Sequence, residues 1–327
     1  MGFDCMEEVR RFLRRFGFGS RLLRMRQRIR RTSRALLQRA SHGISRIRLY
    51  AGNSQLRYYR RVEQNAHVFV YAVLGRSSST ALQRIINSSG QVFMYGESWG
   101  AVDRILDTIH DLSRRRDGNW QGKVEELDVL EECFKTGKHD VFYARAFKPI
   151  DRSILLLRAV LADLLQPPNG LKRFGVKEVA AETDGCLPAL RETFPQSRMV
   201  FLFRHPVPQW VSVAQKGFLN YSDSVEHFLR QYKEVSDRYL RFHSRHPECS
   251  RFVRNDRLYD ADAVSRLLEE LGIDGYDRGL IGDGLSSVGE SRCDAEVAGK
   301  IRRSEAFGNY RRMCEICGVE SGSPNEE

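Results

Sequence analysis

The sequence predicts an α/β fold: a single domain with a mostly parallel central sheet flanked by helices, preceded by a basic helical arm. Two observations carry that prediction. Short apolar runs of strand length alternate with stretches of helical periodicity over roughly 250 residues, the pattern of a doubly wound sheet. The run Val68 to Leu74 is apolar at every position and rich in β-branched and aromatic residues, as a strand buried on both faces must be. No internal repeat is visible, and 327 residues can bury the core of one large α/β domain or two small ones. The expected organisation is an arm over residues 1–62, a domain over 63–318 and an acidic tail over 319–327.

Taken in order, residues 7–49 read as one or two helices. An interrupted apolar stripe (Phe12, Phe16, Leu23, Ile29, Leu36, Ile44) faces away from arginines, with breaks at Gly17, Gly19 and Gly43. The strand Val68 to Leu74 closes on Gly75 and passes through Arg76, Ser77, Ser78, Ser79 and Thr80. A helix marked by Leu82, Ile85 and Ile86 follows. Val92 to Tyr95 is a second strand, ending in Gly96, Glu97 and Ser98, before helical patterning from Val102 to Leu112. Beyond a charged loop, Val141 to Phe147 is expected as a strand. Ile154 to Leu165 is a helix stopped by Pro167 and Pro168. Phe174 to Val179 forms a strand and Leu187 to Phe194 a helix. Met199 to Phe203 is a strongly apolar strand that meets Arg204, His205 and Pro206. The next helix carries Trp210, Val211, Val213 and Ala214, and a long one spans Ser224 to Ser244. The strand Arg251 to Arg254 and the helix Ala261 to Leu271 complete the alternation. Asp274 to Asp294 is a Gly- and Ser-rich loop, and Ala295 to Cys317 is expected as one closing helix.

Strand, short polar loop, helix is a P-loop-like arrangement that aims backbone N–H groups and a helix N-terminus at one spot, where phosphate or sulfate binds. The hydroxyls of Ser77, Ser78, Ser79 and Thr80 add donors, and Arg76 adds a planar fork of them. Capping a helix needs one such hydroxyl, not four beside an arginine. A Walker loop would need Gly-Lys, and none follows Gly75. In open α/β sheets ligands sit at the carboxyl ends of strands. Arg76, Glu97, Lys177 and Arg204 all fall there. A guanidinium at a strand end grips phosphate bidentately, and Ser212 on the next helix completes that site if the chain folds back.

The stretch Arg76 to Leu82 resembles the 5′-phosphosulfate loop of sulfotransferases that use PAPS (3′-phosphoadenosine 5′-phosphosulfate), with Ser78 where that family has glycine. Phe194 to Ser212 resembles the family's 3′-phosphate motif: an apolar strand, an arginine, and a serine eight residues later. His205 stands where the family has Asp or Asn. The two motifs come in the family's order, about 130 residues apart. Weaker likenesses in Phe252 to Leu258, and in the Ser286 to Gly289 loop with Lys300, extend the resemblance over about residues 66–318.

This resemblance implies PAPS as co-substrate, no metal, and transfer of its sulfuryl group to a hydroxyl or amine. It implies that Arg76, Ser77, Ser78, Ser79 and Thr80 hold the phosphosulfate end and that Arg204 and Ser212 hold the 3′-phosphate. Ser287 and Lys300 would belong to a loop closing over the nucleotide. Glu97 is the first candidate for the base, as in tyrosylprotein and carbohydrate members, with His139 second by analogy with the cytosolic small-molecule members. Lys177 resembles a family lysine that holds the sulfuryl oxygens. Open alternatives are Glu97 capping the next helix or pairing with Arg76, and Lys177 in a surface ion pair.

Composition limits the rest. The net charge is +11, yet residues 1–62 hold 17 arginines against Asp4, Glu7 and Glu8, so the remainder is slightly acidic. Nucleic-acid binding by the domain is therefore not expected. Residues 7–49 suit an anionic membrane surface or an acidic partner, and equally a solvated arm packed on the domain. Seven scattered cysteines fit a reducing compartment. The close pair Cys314 and Cys317 lacks the two further ligands of a zinc site. No apolar run approaches the ~20 residues that span a bilayer, and no signal peptide is visible. A cytoplasmic protein, with the arm able to lie at a membrane surface, is expected. The acceptor, a carbohydrate, lipid or peptide hydroxyl, is not legible. Two other readings stay open: a sulfotransferase-like binding or scaffold protein without activity, and a P-loop-like nucleotide kinase. The kinase would lack both the loop lysine and an Asp placed for Mg²⁺.

Overall fold

The computed structural model describes residues 54–98, 100–117, 150–181, 183–217, 221–281 and 293–321. The chain divides into two compact units, Met1–Ser54 and Gln55–Glu327, and the sheet with its flanking helices belongs to the second. The expected helices over 7–49, the expected strand Val141 to Phe147, and residues His139 and Ser287 lie outside the described residues.

The elements are β1 (Val68–Ala72), α1 (Ser79–Ser88), β2 (Val92–Tyr95), α2 (Ala101–Asp117), α3 (Ile150–Leu164), β3 (Arg173–Val179) and α4 (Cys186–Thr193). The chain continues through β4 (Arg198–Phe203), α5 (Pro206–Lys216), α6 (Val225–Arg245), β5 (Ser250–Arg254), α7 (Ala261–Glu270), α8 (Ala295–Arg302) and α9 (Glu305–Ile316). The sheet runs β2-β3-β1-β4-β5 with every pairing parallel. The first strand is therefore central, as its unbroken apolar run requires, and all five of its residues are buried. Successive side chains point to opposite faces. Phe69, Tyr71, Phe174, Val176, Phe201 and Phe203 join a core with residues of α2, α4, α6 and α9. Val68, Val70, Met94, Val200 and Leu202 form a second core with Leu82, Ile85 and Ile86 of α1 and Val264 and Leu268 of α7. Thus the sheet is covered on both faces.

The chain leaves β1 toward β2 on one side, then crosses from β3 to β4 on the other. That reversal puts the topological switch point at the carboxyl end of β1. Register places Ala72 level with Val179 on β3 and Leu202 on β4. Hence the chain segments after β1, β3 and β4 emerge side by side. At the outer rim the Asn87 side chain imitates a peptide: its Oδ1 accepts from Met94 N at 2.6 Å and its Nδ2 donates to Met94 O at 3.1 Å.

Two expectations change. Residues 54–62 are helical, and Tyr59 and Val62 are buried in the core, with Tyr59 Oη donating to Thr193 O at 3.0 Å. This stretch of the expected arm packs as part of the body. The closing helix is two helices: α8 ends at Arg302, and Ser304 caps α9 by accepting from Phe307 N. A serine N-cap followed by Glu305 is a helix start signal that the continuous apolar pattern masks.

Candidate active site

The loop after β1 carries its chemistry in its backbone. Arg76 and Ser78 both adopt left-handed conformations, at φ 68° and 66°. An L-residue other than glycine pays for that geometry in strain, so the family's glycine at the Ser78 position has a physical reason. Ser78 is the N-cap of α1, yet its hydroxyl makes no capping bond. Among the described residues the amides of Arg76 to Thr80 enter no loop, turn or cap hydrogen bond, whereas Gly75 N donates to Tyr221 Oη at 2.7 Å. Ser77 is 1% exposed and its Oγ has no partner among the described residues. A buried hydroxyl and a run of undonated amides at a helix N-terminus suit an anion.

The second anchor sits directly against the first. Arg76 Nε donates to Ser212 Oγ at 3.0 Å, and Arg204 Nη1 donates to the Arg76 carbonyl at 3.1 Å. Gln209 Nε2 donates to the carbonyls of Leu74 (3.3 Å) and Gly75 (2.8 Å), tying α5 to the loop. Tyr232 Oη on α6 donates to Arg204 O at 3.0 Å. Burial lowers the pKa of Arg204 from its ordinary value; Tyr259 opposes this and the neighbouring Arg76 charge adds to it. Two guanidinium groups so close repel each other until an anion lies between them. His205, at the position where the family has Asp or Asn, caps α5: its Nδ1 accepts from Val207 N. Its ring packs against Tyr310 at 4.9 Å between centroids.

The segment after β2 and the end of β3 each supply a carboxylate, Glu97 and Glu178. Lys177 is buried on β3, and its Nζ meets Glu97 Oε1 at 2.5 Å, while Glu97 itself is exposed. Among the described residues Glu97 Oε2 has no hydrogen bond or ion pair. Glu97 therefore pairs with Lys177 rather than with Arg76, and the capping role falls to Ser98, whose Oγ accepts from Val102 N at 3.2 Å. Ser98 in turn donates to the buried Glu178 through its amide (2.8 Å to Oε1) and through its hydroxyl. Burial raises the pKa of Glu178; the Ser98 bonds oppose this and the charge of Glu97 adds to it. Tyr221 is pushed up to about 12 by burial, opposed by the Gly75 amide, with Glu97 adding a smaller push upward. Its phenol stays protonated and, having accepted from Gly75, keeps its own hydrogen to donate.

The structure thus brings Arg76, Ser77, Ser78, Ser79 and Thr80 together with Arg204 and Ser212, and pairs Glu97 with Lys177. It does not bring Lys300 to them by any contact: its ammonium pairs with Glu226 at the start of α6. Among the described residues no cluster of His, Cys, Asp and Glu could hold a metal ion. Cys314 lies in α9 with its pKa raised by burial, and Cys317 is pushed up to about 12 the same way, so neither thiol is primed to react. Sequence reading missed Gln209, Tyr221 and Glu178. The first two act on backbone more than 130 residues away in the chain, and no local pattern announces such a contact.

Fold and site together define an α/β protein with an arginine- and serine-bearing loop at the switch point of a parallel sheet. Residues 68–262, more than half of the chain, match the model of the sulfotransferase family. The chain belongs to that family. Three solved structures are similar to it. The crystal structure of a sulfotransferase from Alicyclobacillus acidocaldarius has 12% identity and a TM-score of 0.45, covering 78% of this chain and 97% of that one. A sulfotransferase domain from the curacin biosynthetic pathway has 13% identity and a TM-score of 0.45, covering 79% and 99%. The sulfotransferase domain of the Synechococcus PCC 7002 olefin synthase has 14% identity and a TM-score of 0.44, covering 79% and 96%. No curated protein matches the chain.

Proposed function

We propose that the protein transfers the sulfuryl group of PAPS to a hydroxyl or amine of an acceptor, leaving 3′,5′-ADP. The observation that carries this reading is the continuity of the two anchors: one hydrogen bond joins Arg76 to Ser212 and another joins Arg204 to the Arg76 carbonyl. A nucleotide with one anionic group at each end of its ribose can then be held by a single cluster. The buried, unpartnered Ser77 hydroxyl fits such a ligand as a waiting donor.

In this mechanism the bond between sulfur and the 5′-phosphate oxygen breaks as the acceptor oxygen bonds to sulfur in line. Negative charge grows on the departing phosphate oxygen, where Arg76 and the loop amides stabilise it, at about 3–4 kcal/mol per well-placed donor. Arg204 and Ser212 hold the 3′-phosphate. Glu97, kept in place by Lys177 through Oε1, takes the acceptor's proton on Oε2. Lys177, which pairs with this carboxylate, also serves the sulfuryl oxygens. The acceptor is a carbohydrate, lipid or peptide hydroxyl, and its class follows from assay of labelled PAPS against panels of each.

Thermal melting tests the donor. Stabilisation by 3′,5′-ADP at a hundred times its Kd amounts to ~2.7 kcal/mol. Stabilisation by ATP with Mg²⁺ alone would turn the reading toward a nucleotide kinase. No response to either would turn it toward a binding protein without activity.

A further inference from the structure

Consecutive residues of a strand face opposite sides of the sheet, and β3 uses two of them on consecutive residues of the segment leaving β2. The pairing of Tyr95 with Val176 brings that segment alongside the end of β3. Lys177 then holds the Glu97 carboxylate, while Glu178, only 5% exposed, takes both the amide and the hydroxyl of Ser98. The Ser98 hydroxyl also accepts from Val102 N, and Ala101 N donates to Ser98 O at 3.1 Å, so the same residue starts α2. Lys177 fixes the tip of the Glu97 side chain. Glu178 fixes the backbone from which that side chain springs.

We propose that Glu178 is a positioning residue for Glu97: through Ser98 it sets the distance from the carboxylate to the acceptor without touching substrate. The inference rests on the reading of Glu97 as the base. A buried carboxylate is costly to desolvate, and here its bonded partner is a serine next to the base. Its placement is explained by the need to fix that peptide. A misplacement of about 1 Å in such a group costs turnover on the order of 10²-fold.

The test is a double-mutant cycle on the full chain, reading kcat, KM for PAPS and the affinity for 3′,5′-ADP. Glu178→Ala is expected to lower kcat by about tenfold or more while 3′,5′-ADP binds within about twofold of wild type. Glu178→Gln keeps an oxygen for the Ser98 donors and restores turnover to within about threefold. In a Glu97→Gln background, Glu178→Ala is expected to cause no further loss, because the group it positions is gone. If Glu97→Gln is impaired and Glu178→Ala is unimpaired, or multiplies the loss, the positioning role is overturned and the base assignment stands. If Glu97→Gln turns over normally, the base assignment fails and takes the positioning role with it. Should Glu178→Ala not fold, Ser98→Ala removes the hydroxyl's bond to Glu178 together with its cap of α2, with a smaller kcat loss expected. Ser98→Thr, which keeps a hydroxyl for both, is expected to restore kcat. An unchanged kcat in Ser98→Ala overturns the proposal.

Discussion

Replacing Ser78 with glycine measures the strain in the loop after β1 directly. Ser78 sits at φ 66°, ψ 23°, and its hydroxyl makes no capping bond. A left-handed backbone costs a non-glycine residue about 1–2 kcal/mol. Glycine removes that strain but adds about 0.5–1 kcal/mol of unfolded-state entropy. With no cap bond to lose, Ser78→Gly should therefore stabilise the protein by about 0.5–1 kcal/mol. For a domain of this size that raises Tm by roughly 1–4 °C. Ser78→Ala keeps the strain and loses no bond, so its stability should lie within ~0.5 kcal/mol of wild type. Melting curves of the three proteins, with and without 3′,5′-ADP, read both effects. A lower Tm for Ser78→Gly would refute the left-handed geometry. A loss above ~1 kcal/mol in Ser78→Ala would show that the hydroxyl does cap α1.

Three further outcomes are expected. Arg204→Ala should abolish most discrimination between 3′,5′-ADP and a nucleotide lacking the 3′-phosphate, measured by calorimetry; a preference equal to wild type would remove Arg204 from that pocket. Glu97→Gln should lower turnover by about two to four decades with nucleotide affinity nearly intact, read by labelled sulfuryl transfer. His67, pressed against Phe174 and hydrogen-bonded to Val62 O and Phe174 N, has its pKa lowered to about 4, chiefly by burial. The unfolded chain binds this proton below pH ~6.5 and the folded one only near pH 4, so stability falls as pH drops through that window. About 2 kcal/mol is lost between pH 7 and pH 5, and urea denaturation of wild type against His67→Gln isolates it.

The strands β1, β2 and β4 are legible because each is a short, mostly apolar run, and Val68 to Leu74 is the plainest case; β3 and β5 carry charged residues and are read from the apolar residues between them. The loop after β1 stands out in the sequence for a related reason: hydroxyls and an arginine crowd a strand end directly after a buried run. Glu178 does not, because a Lys-Glu dipeptide on a strand looks the same whether it faces water or clamps a neighbouring chain. Tyr221 and Gln209 reach the loop only through tertiary folding, so their roles have no local signature. Ser304 had one, a serine before a glutamate, but the apolar pattern on either side hid the break.

The Asn87 amide at the rim of the sheet has a consequence for self-association. By occupying both polar groups of the Met94 peptide, it leaves that point of the border with nothing to offer a foreign chain seeking to extend the ladder. Molecules meeting there find a finished boundary, and stacking of copies through Met94 would first have to evict a side chain already bonded to it.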